Sequence, residues 1–323
     1  MLMSSAAAYP KYHTYQDTGK HPSLLSQAYP RPSFQPDENY YPPNPLLEPH
    51  FASPDESRRF GAACFCGFLE DTVEVEHCLV IPAIATLRRL PYDLPPQAEQ
   101  DLYKLATDEG FHAEQSQQFL SDLRSHFGLV RDEQFRVPLF LRRLEHQRSI
   151  EPNPIHRDLI TVLNGVVTET RISIELSKFV ADSYLADAVR TVCRTHAEDE
   201  SIHASQFKAL GEWLWSQFDE TTRMAAAGFL NASTIARSLP DVERIAFFLH
   251  QATQRSYIEC QRIVYALYTA DVLIDRLQLE TRPTLSFLKH LGVEKYEPFS
   301  IALERERERL CSELATRRVA LYS

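Results

Sequence analysis

Glycine is scarce in this sequence, at 9 of 323 residues, and strand-like alternation of apolar and polar residues is rare as well. Both absences argue against a β-rich fold, because hairpin turns draw on glycine and half-buried strands alternate with a period of two. Long stretches instead mix Leu, Ala, Val, Glu and Arg at helical spacing. The sequence therefore predicts an all-α protein, and 44% hydrophobic residues are enough for a sizeable core.

Several function classes lack their usual signals. The formal charge is −10 and no long basic run occurs, so neither nucleic acid nor an anionic membrane is an expected partner. No apolar run reaches the ~18–20 residues of a membrane span, and the N-terminus has no basic start followed by an apolar run. The six cysteines are scattered without a CxxC pair, which indicates reduced thiols in a cytoplasmic protein.

The composition divides the chain into two parts. Residues 1–55 are rich in Pro, Tyr and Ser, as in YPPNPLLEPH, and are predicted to form an extended arm. Residues 56–323 are predicted to form one helical domain. Its expected helices are 57–90, 96–127 with Gly128 as the stop, a short one within 129–153, 154–183, 184–218, 219–231, 240–270, 271–291 and 297–321.

The motif Asp-Glu-x-x-His occurs twice, as DEGFH from Asp108 to His112 and as DESIH from Asp199 to His203. Residues three apart on a helix share a face, so each copy presents a carboxylate and an imidazole in the same direction. Two such helices that face each other can hold two metal ions, provided that two further helices each supply a Glu. This mixture of oxygen and nitrogen donors suits iron or manganese, and the lack of thiolate argues against structural zinc.

The third long helix offers the lone carboxylate Glu169 in the run LNGVVTETRISIE, with Glu175 as the alternative. Val166 and Ile172 suggest that Glu169 lies beside a buried stripe, where a carboxylate is costly unless it is paired or metal-bound.

The first helix offers Glu70, Glu74 and Glu76 in LEDTVEVEH. Glu70 and Glu74 share a face while Glu76 is expected to point elsewhere, and spacing alone leaves the choice between Glu70 and Glu74 open. His77 repeats ExxH after Glu74, but a helix of this type normally supplies only a Glu.

The segment THAEDESIH, from Thr195 to His203, places His196 one turn before the second ExxH. The order Glu, DExxH, Glu, HxxxExxH resembles the p-aminobenzoate N-oxygenase (AurF-like) family of non-haem di-iron oxygenases, which have a ferritin-like fold. The resemblance spans about residues 57–218. It implies a ferritin-like four-helix bundle that carries a di-iron site, with additional C-terminal helices.

The resemblance also implies a ligand set, and it selects Glu74 because the ligand separations of 35, 60 and 27 residues fit the family's order. Asp108 and Asp199 are expected to accept hydrogen bonds from ligand histidines. In one departure, Ile202 stands where many di-iron proteins have Arg. The implied ligands are Glu74, Glu109, His112, Glu169, His196, Glu200 and His203.

The implied activity is O2-dependent oxidation of an amine to a hydroxylamine, nitroso or nitro product in specialised metabolism. The expected cofactor is a pair of non-haem iron ions, with manganese as an alternative. The expected partners are a small arylamine or an amino acid tethered to a carrier protein, an external electron donor and a second copy of the chain. The competing interpretations are another ferritin-like di-iron oxidase, such as a hydroxylase or desaturase, and a non-catalytic iron-binding protein.

Overall fold

The protein is all-helical in a computed structural model that describes residues 9–11, 32–35, 37–131 and 133–322. Among these residues the only strand-like pairing is one isolated bridge, between Asn39 and Leu185. The prediction of an all-α protein is thus confirmed. A membrane crossing would require a longer apolar helix than any that these ranges contain.

The helices are numbered here in chain order. They are α1 (Pro54–Val75), which continues through a π-helical turn (Glu76–Val80) into α2 (Ile81–Leu87), then α3 (Pro96–Phe127), α4 (Leu139–Ile150), α5 (Pro154–Ala181), α6 (Asp187–Gln217), α7 (Glu220–Ser238), α8 (Val242–Ala252), α9 (Tyr257–Leu267), α10 (Ala270–Glu280), α11 (Arg282–Leu291) and α12 (Phe299–Tyr322). Short 3-10 turns at Glu48–His50, Glu133–Phe135 and Val293–Lys295 join some of them.

Local chemistry explains the helix ends that the sequence predicted well. Helix α3 begins with Pro96 and ends at Gly128, whose φ of 59° is a left-handed conformation that favours glycine. Ser53 caps α1 by accepting a hydrogen bond from the backbone N–H of Glu56, and Asn153 caps α5 in the same way through Ile155.

Two predicted helices are each broken in two. The stretch 240–270 separates into α8 and α9 because Ser256 and Glu259 form a capping box that starts a new helix. The stretch 271–291 separates into α10 and α11, and Pro283 lies in the first turn of α11, where its missing N–H is tolerated. The expected first helix, 57–90, is interrupted by the π-helical turn and ends at Leu87.

Four long helices form the centre of the molecule. Helix α1 packs against α3, α5 packs against α6 along its length, and α3 also contacts α6. The π-helical turn contacts both α3 and α5. Helix α8 covers α1, α7 covers α5, and α12 lies against α7, α9 and α10.

The apolar core is divided into two clusters of buried side chains. On each long helix the membership changes from one cluster to the other partway along. The changes fall between Leu69 and Val75 on α1, Leu105 and Phe119 on α3, Val167 and Ile172 on α5, and Cys193 and Phe207 on α6. A polar layer therefore lies between two apolar ones, at the same level on all four helices.

Part of the N-terminal arm packs on this body. Tyr40 and Leu47 are fully buried, and the side-chain amide of Asn44 donates to the Tyr268 hydroxyl at 2.8 Å. Residues 1–8, 12–31 and 36 of the predicted arm lie outside the described residues.

The close approach of helices at Gly165 generates a stability prediction. A Cβ added at Gly165 would lie 2.9 Å from the Ala83 Cβ, whereas one at Gly110 would meet nothing within 4 Å. We expect Gly165→Ala to lower the free energy of unfolding by about 1–3 kcal/mol because the helices must move apart. Gly110→Ala should raise it by about 0.5–1 kcal/mol. Chemical denaturation of both variants tests this, and equal stabilities would contradict the close contact.

Candidate metal centre

A buried group of acids and histidines fills the polar layer. Two sets of residues each bring one donor atom apiece within 4.8 Å of the others. The first set combines Glu109 and His112 of α3 with Glu200 and His203 of α6. The second set combines Glu109, His196 and Glu200 with Glu76, the first residue of the π-helical turn.

The two Asp-Glu-x-x-His motifs face each other across α3 and α6. Glu109 contacts a histidine with each oxygen: His112 Nδ1 lies 2.9 Å from Oε2 and His203 Nδ1 lies 2.8 Å from Oε1. Glu200 Oε1 lies 3.3 Å from His112 Nδ1 and 3.4 Å from His203 Nδ1. The i, i+3 spacing within each helix thus delivers four donors to one point.

His196 joins them from one turn earlier on α6. Its Nε2 lies 2.9 Å from Glu200 Oε1, and its ring centroid lies 4.0 Å from that of His112. The THAEDESIH segment therefore contributes three inward-facing side chains at steps of four and three. Glu198, in the middle of the segment, is exposed.

Glu169 of α5 is also at this site. It is fully buried, and its Oε2 lies 3.9 Å from His203 Nδ1. The alternative residue, Glu175, is instead paired with Arg171 and Arg237. The structure therefore places Glu169, and not Glu175, beside the histidines.

The structure does not bring Glu74, the expected first ligand, into the cluster. The Glu74 carboxylate lies on the outer side of the helix. Its Oε1 is 3.8 Å from the Arg131 guanidinium, and its Oε2 is 3.5 Å from Cys78 Sγ. Glu70 is held by Arg124 and Arg244. Glu76, which the sequence analysis expected to point elsewhere, is the fully buried acid that reaches Glu109 and Glu200.

A signal for Glu76 was present in the sequence. Phe65, Leu69, Thr72 and Glu76 follow one another at steps of four, three and four, and all four are buried. The buried face of α1 thus continues to Glu76. An acid that extends a buried, mostly apolar stripe is expected to face inward, and an argument from the spacing between ligands does not use this feature. His77 is exposed.

Unpartnered oxygen atoms show that these residues fit a cation. Both carboxylate oxygens of Glu76 and both of Glu169 are buried without a hydrogen-bond partner among the described residues. A buried unpaired carboxylate is strongly unfavourable, and a metal ion would satisfy it. The donor set of carboxylates and imidazoles matches iron or manganese.

The electrostatics separate the carboxylates into two pairs. Burial, together with the neighbouring carboxylates, raises the pKa of Glu76 and of Glu169 well above its usual range. Burial alone would do the same to Glu109 and Glu200, but the contacting histidines lower the pKa of both groups. The histidines in contact with Glu109 and Glu200 therefore favour the ionised form of these two carboxylates.

The three histidines also fall into two groups by the direction in which their pKa is shifted. Burial opposes protonation of His112 and His203, but hydrogen bonds and charges from the surrounding acids raise the pKa of each well above its usual value. Burial and the charge of His112 lower the pKa of His196. The lowered pKa favours the neutral form of His196, which is the form that can act as a metal donor.

Each motif aspartate lies beside the histidine of the opposite helix. His112 Nε2 is 3.4 Å from Asp199 Oδ2, and His203 Nε2 is 3.6 Å from Asp108 Oδ2. Because Nε2 faces the aspartate, Nδ1 of each histidine faces the carboxylate cluster. This is the arrangement in which a carboxylate orients a metal-binding imidazole.

These features define a class: an all-helical protein with a buried carboxylate–histidine cluster that could hold a metal ion. No protein-family model matches the chain, and no curated protein matches it.

The placement of Glu76 predicts which acid on α1 matters for metal content. Glu76→Ala should lower the metal content of iron-loaded protein, because a buried donor of the cluster is lost. Glu74→Ala should leave the iron content unchanged. Elemental analysis of both purified variants measures this, and iron loss in Glu74→Ala alone would restore the family-based assignment.

The contacts of Asp199 with His112 and of Asp108 with His203 generate a second prediction. Asp199→Asn should weaken metal affinity about 10–100-fold, because the amide no longer fixes the His112 tautomer through a charged acceptor. Glu198→Gln on the exposed side of the same turn is the matched control and should bind metal as the wild type does. Competition with a chelator gives both affinities, and equal values would remove the role of Asp199.

The raised pKa values of His112 and His203 predict proton release on metal binding. A raised pKa means that each imidazole holds its proton to higher pH, and it must lose that proton to act as a donor. The apparent affinity should therefore rise as pH increases. Calorimetric titration with Mn²⁺ in buffers of different ionisation enthalpy counts the protons, and a heat independent of buffer would contradict this charge assignment.

Proposed function

We propose that this protein is an O2-dependent non-haem di-iron N-oxygenase with a ferritin-like bundle, which oxidises an amine to a hydroxylamine, nitroso or nitro product. The proposal rests on the resemblance of its motifs to the p-aminobenzoate N-oxygenase family and on the buried cluster. Its substrate is an arylamine or an amino acid tethered to a carrier protein. Electrons come from an external donor, and the enzyme acts as a homodimer in the cytoplasm.

The third imidazole is the observation that carries this proposal. A bundle site with two ExxH motifs and two further glutamates is common to many di-iron proteins. His196 distinguishes the N-oxygenase pattern, and its Nε2 lies 2.9 Å from Glu200 Oε1, inside the cluster. His196 lies with the buried acids Glu76, Glu109 and Glu200, as a third imidazole ligand would.

The chain's residues have separable roles in this proposal. Glu109 and Glu200 belong to both sets of donors, so they would be shared between two ions, while Glu76 and Glu169 would complete the charge balance. Bound iron would supply the activation of O2, and O2 would supply the oxidising equivalents and the oxygen atom for the amine. The two apolar clusters on either side keep water from this layer, so that electrostatic interactions within it are strong.

Product analysis tests the proposal. Iron-loaded protein, chemically reduced and then exposed to O2 with 4-aminobenzoate or another arylamine, should form the hydroxylamine and more oxidised products detectable by mass spectrometry. His196→Ala should lose most of this product because the third imidazole is missing. Metal-free protein is the control for uncatalysed oxidation.

The alternative functions give different results. Oxidation at carbon instead of nitrogen would indicate a hydroxylase or desaturase. Uptake of many irons per chain, with no amine product, would indicate an iron-binding protein. The absence of any bound metal after anaerobic Fe(II) loading would overturn all three.

A further inference from the structure

Gln206 of α6 is a buried polar side chain whose hydrogen-bonding groups are not used within the fold. It is 2% exposed, and neither its Oε1 nor its Nε2 has a hydrogen-bond partner among the described residues. In that part of the chain, the other side chains with both polar atoms buried and unpartnered are Glu76 and Glu169 of the candidate metal centre. An unmade hydrogen bond in the interior is costly, so such a side chain indicates a group that binds there.

Gln206 lies at the edge of the polar layer. It follows His203 by three residues on a continuous helix, so the two side chains lie on the same side of α6, one turn apart. Long side chains on a helix lie over the turn that precedes their own Cα, which directs the Gln206 amide towards His203. The amide therefore extends towards the carboxylate–histidine cluster.

Helix α3 presents an apolar residue at the level of Gln206. The contacts between the motif aspartates and the histidines of the opposite helix show that α3 and α6 run antiparallel. Three residues beyond His203 on α6 therefore correspond to three residues before Asp108 on α3, which is Leu105. Leu105 is fully buried and offers the amide no hydrogen bond.

Helix α5 is apolar at this level as well. A Cβ added at Gly165 would lie 3.4 Å from the Phe207 ring, so Val166, the next residue of α5, is near the level of Gln206. Val166 is also fully buried. Apolar neighbours on both helices explain why the amide has no partner within the fold.

An amide has the hydrogen-bonding groups that an amine and its oxidised product need. An amine offers N–H donors, which Oε1 can accept, and a hydroxylamine adds an oxygen atom, which can accept from Nε2. An amide is also neutral, so it adds no negative charge to a layer that already contains four fully buried glutamates. These properties match a neutral nitrogen group that reacts at the metal layer.

We propose that Gln206 binds the nitrogen of the amine substrate and of its hydroxylamine product beside the metal layer. This proposal rests on the proposed function. In the first oxidation, one atom of O2 enters an N–H bond of the amine to give N–OH. The other atom leaves as water, with two electrons from the external donor and two protons. Gln206 would hold the nitrogen group in place before and after this step, so that the hydroxylamine is oxidised further.

Binding of two matched probes to the full-length protein tests the contact. 4-Aminobenzoate and 4-methylbenzoate differ by an amino group in place of a methyl group of similar size. Without O2, the wild-type protein should prefer 4-aminobenzoate, and Gln206→Met should lower that affinity about five- to tenfold because one hydrogen bond is lost. The affinity for 4-methylbenzoate should not fall. Gln217→Met, at the half-buried end of α6, is the matched control.

Calorimetric titration of metal-free and of Mn²⁺-loaded protein gives these affinities. The proposal is overturned if the wild-type protein shows no preference for the amine, or if Gln206→Met keeps the same preference. Either result would assign the amide to a bound water molecule.

Stability and product composition provide two further readouts. Met has nearly the volume of Gln and no group that needs a hydrogen bond, so Gln206→Met should keep or raise the Tm of the ligand-free protein. A clearly lower Tm would show that the amide has a partner within the fold, against a role in binding substrate. In iron-loaded protein, the variant should release a larger share of hydroxylamine relative to nitroso and nitro products.

These readouts separate the two hypotheses. If iron-loaded protein oxidises no amine while the preference for 4-aminobenzoate still depends on Gln206, the N-oxygenase function fails and the amine-binding role stands. If amine oxidation proceeds while Gln206→Met matches the control variant in binding and in product composition, the proposal for Gln206 alone fails.

Discussion

The burial of several carboxylates at one level of a helical bundle is the constraint on which the rest of this structure depends. Glu76, Glu109, Glu169 and Glu200 are all fully buried. Burial and the neighbouring carboxylates raise the pKa of Glu76 and Glu169 well above its usual range, and the surrounding acids raise the pKa of His112 and His203. A metal ion could take the place of the protons on these groups, because the same side chains bring several donor atoms together.

The surrounding structure supports this layer in three ways. Apolar clusters above and below exclude water, and their boundary falls at the same level on α1, α3, α5 and α6. Asp108 and Asp199 orient the histidines of the opposite helix. The other acids of α1 are neutralised outside the layer: Arg124 and Arg244 hold Glu70, and Arg131 lies beside Glu74. Glu70 and Glu74 therefore have guanidinium partners outside the layer, whereas Glu76 and Glu169 have none within it.

Sequence reasoning succeeded where a local pattern repeats and failed where a single residue had to be chosen. The two Asp-Glu-x-x-His motifs and His196 come together as predicted by helical spacing. The structure leaves Glu74 outside the cluster and brings Glu76 into it, because ligand spacing along the chain does not fix rotation about the helix axis. Glu76 ends the regular inward stripe of α1, and the π-helical turn begins there; π-turns of this kind occur often at functional sites.

The sequence by itself determined the helical class, the ends of α3 and the two motifs that face each other, since capping residues, glycine stops and the 3.6-residue period act locally. Tertiary structure alone decided which acid of α1 enters the cluster, where 240–270 and 271–291 break, and how the arm buries Tyr40 and Leu47. Those outcomes depend on which side of each helix faces its neighbours, and that orientation is fixed by packing between segments far apart in the chain.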